Sequence, residues 1–349
     1  MMSTTICCKN VKRFIILNLL LFLITPSRSQ VISNFLEEQK ITGKVRSVTE
    51  LHNNGQKFIY MFNEKGLETE KWFFNPAEVL LFRLNRKFDS AGHLAEETHY
   101  DKGISPVLKI EYRYNAKGVQ MGRTVFGSNQ KPLEKFIYQY NLNNKIVDSS
   151  HYDYYESLIE RFIWHYDSAD RIVLKKWIRP QVKDTIITHY NYDTALRIIR
   201  EKIDTGSGPE IRYEYDKEGR MITESRRYQE DGNDFIKKFA FDDKVNLILS
   251  AEYKPDGSII KKITYEYDSS GRKISEARYN SQNLVFMRYI RLFDERNNEV
   301  ELKGTNEAGE TEFIIESKFE YDKTGNWIIK TQIVNGSQGE MITRVFEYY

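Results

Sequence analysis

The chain has 349 residues, with 52 Lys plus Arg against 50 Asp plus Glu and a formal net charge of +2. That near-balance argues against a dedicated nucleic-acid binder, which carries a marked basic excess. Two cysteines exclude a disulfide-dense scaffold and a four-cysteine zinc site.

Residues 1–29 contain no acid. Lys9, Lys12 and Arg13 precede an apolar run over 14–25, followed by Pro26, Ser27, Arg28 and Ser29. This is the pattern of a secretory signal peptide, with the cut expected between Ser29 and Gln30. The run is short of the roughly 20 residues that a membrane span needs. Cleavage removes Cys7, Cys8 and four cations, so the mature charge becomes −2 and no thiol remains. The expected location is exported: periplasmic, cell surface or extracellular. Residues 30–56 form a lead-in, with a short helical pattern over 31–39 and an incomplete first unit over 41–57 whose second strand covers 43–51.

From 57 to 349 the chain repeats. An aromatic anchor followed by Asp or Asn recurs at Phe62, Phe88, Tyr114, Tyr140, Tyr166, Tyr192, Tyr215, Phe241, Tyr267, Phe293 and Tyr321. Eight of the ten spacings are 26, and a twelfth aromatic, Tyr348, lacks the acidic neighbour. Such a period marks a repeat architecture rather than a set of average domains. Four residues after the anchor, Gly66, Gly92, Gly118, Gly219, Gly271 and Gly325 read as the left-handed position of a hairpin turn. Leu196 and Val245 break the rule, which predicts distorted or differently built turns there. Before each anchor, apolar and polar residues alternate with a period of two, so one strand face is aromatic and the other wet. A more polar second strand follows, ending near Phe74, Tyr100, Phe126, Tyr152, Tyr228, Tyr253 or Tyr279.

Each unit is therefore a β-hairpin, and the expected fold is all-β: about 24 antiparallel strands in a meander. A closed cylinder of about 115 Å circumference would be too wide for side chains to fill, so the expectation is a curled or spiral elongated sheet, aromatic side inward. The 23-residue step from Tyr192 to Tyr215 reads as a deletion within the array.

Tyr213-Glu214-Tyr215-Asp216-Lys217-Glu218-Gly219-Arg220 and Tyr265-Glu266-Tyr267-Asp268-Ser269-Ser270-Gly271-Arg272 resemble the YD repeat, also called the RHS repeat. Phe319-Glu320-Tyr321-Asp322-Lys323-Thr324-Gly325-Asn326 is a close variant. The resemblance covers about residues 57–349, with a longer period than is usual for the family. It implies an exported bacterial protein whose hairpins build a long sheet that winds into a hollow shell. Some family shells enclose a toxin; the repeats here run to Tyr349, so that role is not expected. Others serve in adhesion, which implies a non-enzymatic scaffold binding carbohydrate or a surface protein.

The candidate ligand surface is the densest part of the aromatic ladder: Tyr138, Tyr140, Trp164, Tyr166, Tyr190 and Tyr192. Cross-strand ring ladders are expected to stabilise the sheet. No cofactor, metal or nucleic-acid partner is expected, and the sequence leaves the oligomeric state open. The six histidines (His52, His93, His99, His151, His165 and His189) read as surface residues, and Glu97, Glu224 and Glu276, nine after an anchor, as a solvated face. An outer-membrane β-barrel fits the signal peptide and the alternating strands. Against it stand Glu70, Glu96, Lys176, Arg200, Lys202, Glu301 and Lys303, which share one face of the second strands, and strands near eight residues long. A carbohydrate-active enzyme is the remaining alternative, although no catalytic motif is visible.

Overall fold

The computed structural model describes residues 35–102, 105–204, 208–228 and 234–349. The leader over 1–29 and the start of the helical pattern lie outside the described residues. The described chain folds into one four-residue α-helix, α1 (Phe35–Glu38), a single 3-10 turn (Pro180–Val182) and 24 strands. These are β1 (Val45–His52), β2 (Lys57–Phe62), β3 (Glu68–Phe74), β4 (Leu80–Phe88), β5 (Leu94–Asp101), β6 (Ser105–Tyr114), β7 (Gln120–Gly127) and β8 (Pro132–Tyr140). Next come β9 (Ile146–Asp153), β10 (Leu158–Tyr166), β11 (Ile172–Arg179), β12 (Asp184–Tyr192), β13 (Ile198–Asp204), β14 (Glu210–Tyr215), β15 (Met221–Arg227) and β16 (Phe235–Phe241). The last eight are β17 (Leu247–Tyr253), β18 (Ile259–Tyr267), β19 (Lys273–Tyr279), β20 (Val285–Phe293), β21 (Glu299–Asn306), β22 (Thr311–Tyr321), β23 (Trp327–Val334) and β24 (Ser337–Tyr348).

Each strand pairs antiparallel with its sequence neighbours, and β24 pairs with β1. The sheet is therefore a closed barrel, not the open spiral that the width of the sheet suggested. An open meander would leave two rows of unpaired backbone groups at β1 and β24, and closure removes both. The inner wall of the closed ring mixes rings with charged side chains.

The seam completes the repeat. β24 with its anchor Tyr348 is the first strand of a hairpin whose second strand is β1. Tyr348 faces Val45 and Glu347 faces Ser47 across a bulge, just as Tyr267 faces Lys273 and Glu266 faces Ser275 inside one unit. The Tyr349 N–H bonds the Lys44 carbonyl at 2.9 Å, the position held elsewhere by the Asp268 N–H on the Arg272 carbonyl at 3.0 Å. The incomplete first unit is thus the missing half of the last, giving twelve hairpins in the ring.

The turn chemistry explains the motif. At Asp268, one carboxylate oxygen accepts the backbone N–H groups of Ser270 and Arg272, both at 2.9 Å. The Gly271 N–H returns to the Asp268 carbonyl with φ at 78°, where glycine meets no Cβ clash. The second oxygen accepts Arg272 Nε at 2.6 Å. That guanidinium then lies 5.1 Å over the next anchor ring, Phe293, and reaches the Asp294 carbonyl at 3.3 Å. Arg171, Arg197 and Arg220 repeat the move over Tyr192, Tyr215 and Phe241.

The turns at Leu196 and Val245 are built like the others, contrary to expectation. Their N–H groups bond the Asp193 and Asp242 carbonyls at 3.1 Å, with φ of 66° and 69°. An L-residue in that conformation costs about 1–2 kcal/mol. Val245→Gly is expected to stabilise the barrel by about 1 kcal/mol, read from the denaturant midpoint; an unchanged or lower midpoint would contradict this.

The carboxyls of Asp167, Asp193, Asp216 and Asp268 are held below the ordinary aspartate range. At Asp167 the Arg171 side chain leads and its backbone N–H follows. At Asp193 and Asp268 the backbone N–H of the Arg leads. A depressed folded pKa gives stability that is present above the unfolded value of about 3.9 and lost as pH falls through the folded value. The melting temperature is therefore expected to drop as pH falls below about 4. Changing these four residues to Asn is expected to flatten that drop; an equally steep acid loss in the quadruple variant would refute the assignment.

Candidate functional site

The bulge after each turn fixes which residues face inward. The anchor pairs six residues on, but the residue two before it pairs eleven on, nine after the anchor, as in Tyr138 with Ser149, Tyr213 with Glu224 and Tyr265 with Glu276. This face is the concave one. Lys40, just after α1, shares one hollow with Trp327 and Lys330 of β23 and another with Arg291 and Phe293 of β20. A side chain can reach both only if the wall curves around it. Phe35 of α1 stacks on Tyr60 of the same face at 4.1 Å between ring centres.

The six ladder residues all lie on this inner wall, but in two sets. Tyr140, Tyr166 and Tyr192 sit near the rim of the Asx turns. Their hydroxyls donate to the carbonyls of Gln120, Ile146 and Ile172, at 2.7–2.8 Å, on the neighbouring hairpin. The ladder between hairpins has ended there, so these bonds hold adjacent hairpins together. Tyr138, Trp164 and Tyr190 stand further in. Tyr138 is buried in a cluster with Ile110, Tyr112, Val125, Phe136 and Ile146, against which Tyr140 and Trp164 pack. Burial, and after it the Glu201 carboxylate, pushes the Tyr190 phenol up to about 12.

A continuous ring ladder does not form at this level, because the residues opposite are Ser149, Lys175 and Glu201. Ring stacks occur one register step along instead: Phe58 on Phe73, Phe136 on His151 and Phe162 on Trp177.

Glu97, Glu224 and Glu276 face inward, not to an outer solvated face. Glu97 accepts Arg86 Nε at 2.9 Å and pairs with His99 at 2.7 Å. Glu276 accepts Lys273 and Arg278, both at 3.0 Å. Glu224 accepts Arg226 at 2.9 Å. Glu201 accepts the Tyr213 hydroxyl at 2.9 Å, and burial followed by this bond raises the Tyr213 phenol. His99 and His151 are likewise inward, not surface residues. His151 stacks on Phe136 and stands 3.4 Å from Glu134 and 3.6 Å from Glu160. Among the described residues, no group of three or more His, Cys, Asp or Glu side chains is arranged to hold a metal ion.

The outer wall carries Glu70, Glu96, Lys176, Arg200, Lys202, Glu301 and Lys303, all out of register with the inward residues. The aromatics that end the second strands, such as Tyr100, Phe126 and Tyr279, also lie on this side. Among the described residues, no helix is long and apolar enough to cross a membrane.

Sequence reasoning missed the inward cations Arg123 and Lys175, which occupy the same position nine after an anchor as Glu97 and Glu224. The recurring spacing was the available signal.

No protein-family model matches the chain, and no curated protein matches it in sequence. Among solved structures, it is similar to a TcdB2-TccC3-TEV crystal structure at 12% identity, covering 82% of this chain and 19% of that chain, with a TM-score of 0.33. It is similar to a Photorhabdus luminescens Tc holotoxin pore at 14% identity, covering 83% and 20%, with a TM-score of 0.31. A porin-like protein from Bacteroides uniformis aligns at 8% identity over 87% of this chain and 98% of that chain, with a TM-score of 0.20. The chain spans about a fifth of the length of the toxin chains.

Proposed function

We propose that the chain is an exported, water-filled β-shell that binds an extended glycan along its inner wall without transforming it. The observation that carries this reading is the sidedness of the closed ring: aromatic rings and ion pairs face the lumen, while the outer wall is charged along its second strands. A barrel of 24 strands encloses more space than its side chains fill, since barrels of 16–18 strands already leave an aqueous channel. Partly buried inner aromatics such as Trp164 offer stacking surfaces for sugar rings. The leader-like sequence over 1–29 supports export.

The test is a titration of the chain with a panel of soluble polysaccharides, monitored by tryptophan fluorescence. Saturable binding that weakens in Trp164→Ala supports the reading. Absence of binding across the panel, with the barrel folded, overturns it.

The closed ring also favours a second reading, an outer-membrane barrel. Lipid contact is disfavoured by outward cations such as Lys176, Arg200 and Lys303, each costing about 2–4 kcal/mol at the bilayer midplane. Several strands have only six or seven residues, against about 9–11 for a tilted span. A chain that stays monodisperse without detergent supports the aqueous shell; extraction from membranes only by detergent supports the second reading.

A further inference from the structure

We propose that Arg123 makes the inner wall an anion-selecting saccharide site, taking a sugar that carries a carboxylate or sulfate, with the charged group on the guanidinium. The proposal rests on the shell reading above and names its ligand class.

Arg123 lies on β7, nine residues after the anchor Tyr114, and faces the lumen. Across the two ladders it meets Tyr112 on β6 and Phe136 on β8. Its guanidinium carbon is 4.2 Å from the Phe136 ring centre. The residue is only 7% exposed, and neither Nε nor Nη2 has a hydrogen-bond partner. Among the described residues no carboxylate stands within ion-pair distance of it.

The other inward arginines differ. Arg86 has Glu68 and Glu97, Arg226 has Glu224, Arg278 has Glu276, Arg291 has Glu299 and Arg344 has Glu50. The inward acids nearest Arg123 are turned elsewhere: Glu134, one strand away, stands by His151, and Glu97, two strands away, is held by Arg86 and His99. A cation taken out of water without a counter-charge is unfavourable, so an anion arriving from the lumen would satisfy what the fold leaves open. The planar guanidinium matches carboxylate and sulfate geometry.

The Arg123 charge is felt at the Tyr138 phenol. Burial raises that phenol, and Arg123 opposes the rise. Tyr138 lies two residues beyond Phe136, the residue paired with Arg123, on the same face of β8. Further round the wall, Lys175 lies 4.9 Å over the Phe162 ring, and burial lowers its pKa, with Glu201 opposing.

The test uses the full chain and three size-matched oligosaccharides: a neutral oligogalactose, an oligogalacturonate and a sulfated oligogalactose. Wild type is expected to bind one or both acidic oligomers about 10- to 100-fold more tightly than the neutral one, the range of a hydrogen bond to a charged group. Whichever acidic oligomer binds identifies the anion. Arg123→Gln is expected to lose the preference, and Arg123→Lys to keep part of it. A preference that survives Arg123→Gln, or equal affinity for all three in wild type, overturns the proposal and leaves the shell reading standing. Failure of all three oligomers to bind overturns both.

Discussion

Truncation after residue 336 is expected to abolish cooperative thermal unfolding and to produce concentration-dependent oligomers. The deleted segment is β24, half of the hairpin that closes the ring. Its loss strips β1 and β23 of their partner and exposes two long edges, which pair with other copies. The damage extends beyond the backbone ladder. Asn326 bonds both the Thr42 carbonyl and the Tyr348 hydroxyl at 2.9 Å, and the Tyr349 hydroxyl bonds the Phe62 carbonyl at 2.5 Å, so the two chain ends are locked to each other and to the units on both sides. Size-exclusion chromatography and circular dichroism read the outcome. A truncated chain that melts cooperatively as a species of unchanged size would refute the closure account.

Arg344→Leu is expected to destabilise the barrel by about 3–5 kcal/mol, the range for breaking a buried ion pair by removing one partner. Arg344 is on β24, with its side chain 2% exposed. Its Nε and Nη2 lie 2.8 and 2.7 Å from one oxygen of Glu50 on β1, and Nη2 also reaches Gln39 at 2.6 Å. Its guanidinium lies 3.4 Å over Trp327. Removing it leaves Glu50 inside the wall without a cation, next to Tyr60, whose phenol is already raised by burial and then by Glu50. Glu50→Leu combined with Arg344→Leu should recover much of the loss, since replacing both charges spares the stranded carboxylate. Denaturant unfolding decides this: a single variant within about 1 kcal/mol of wild type would show that the pair does not hold the seam.

The hairpin repeat was legible because its signals are local. The Asx residue, the left-handed position and the period-two strand each act within about ten residues. Closure was not legible, because nothing near residues 41–57 says that the partner of β1 is the last strand of the chain. The inward carboxylates were misplaced for a specific reason: each turn is followed by a bulge that sets two residues against one, as at Glu266 and Tyr267. One extra residue moves every later side chain to the other face. Glu97, Glu224 and Glu276 thereby turned inward, while Tyr100 and Tyr279 turned outward. Tyr138 and Trp164 precede that bulge in their units, so their parity was safe and their inward placement followed from the sequence.

The split hairpin has a consequence for the size of the lumen. Since every unit ends in the same register in which it began, the ring is modular, and its girth changes only in whole hairpins. Excising one 26-residue repeat would leave β1 and β24 able to meet as before, around a circumference shorter by two strand spacings, about 10 Å. A lineage could thus set the girth of the ring by duplicating or losing single units, with no redesign of the joint that shuts it.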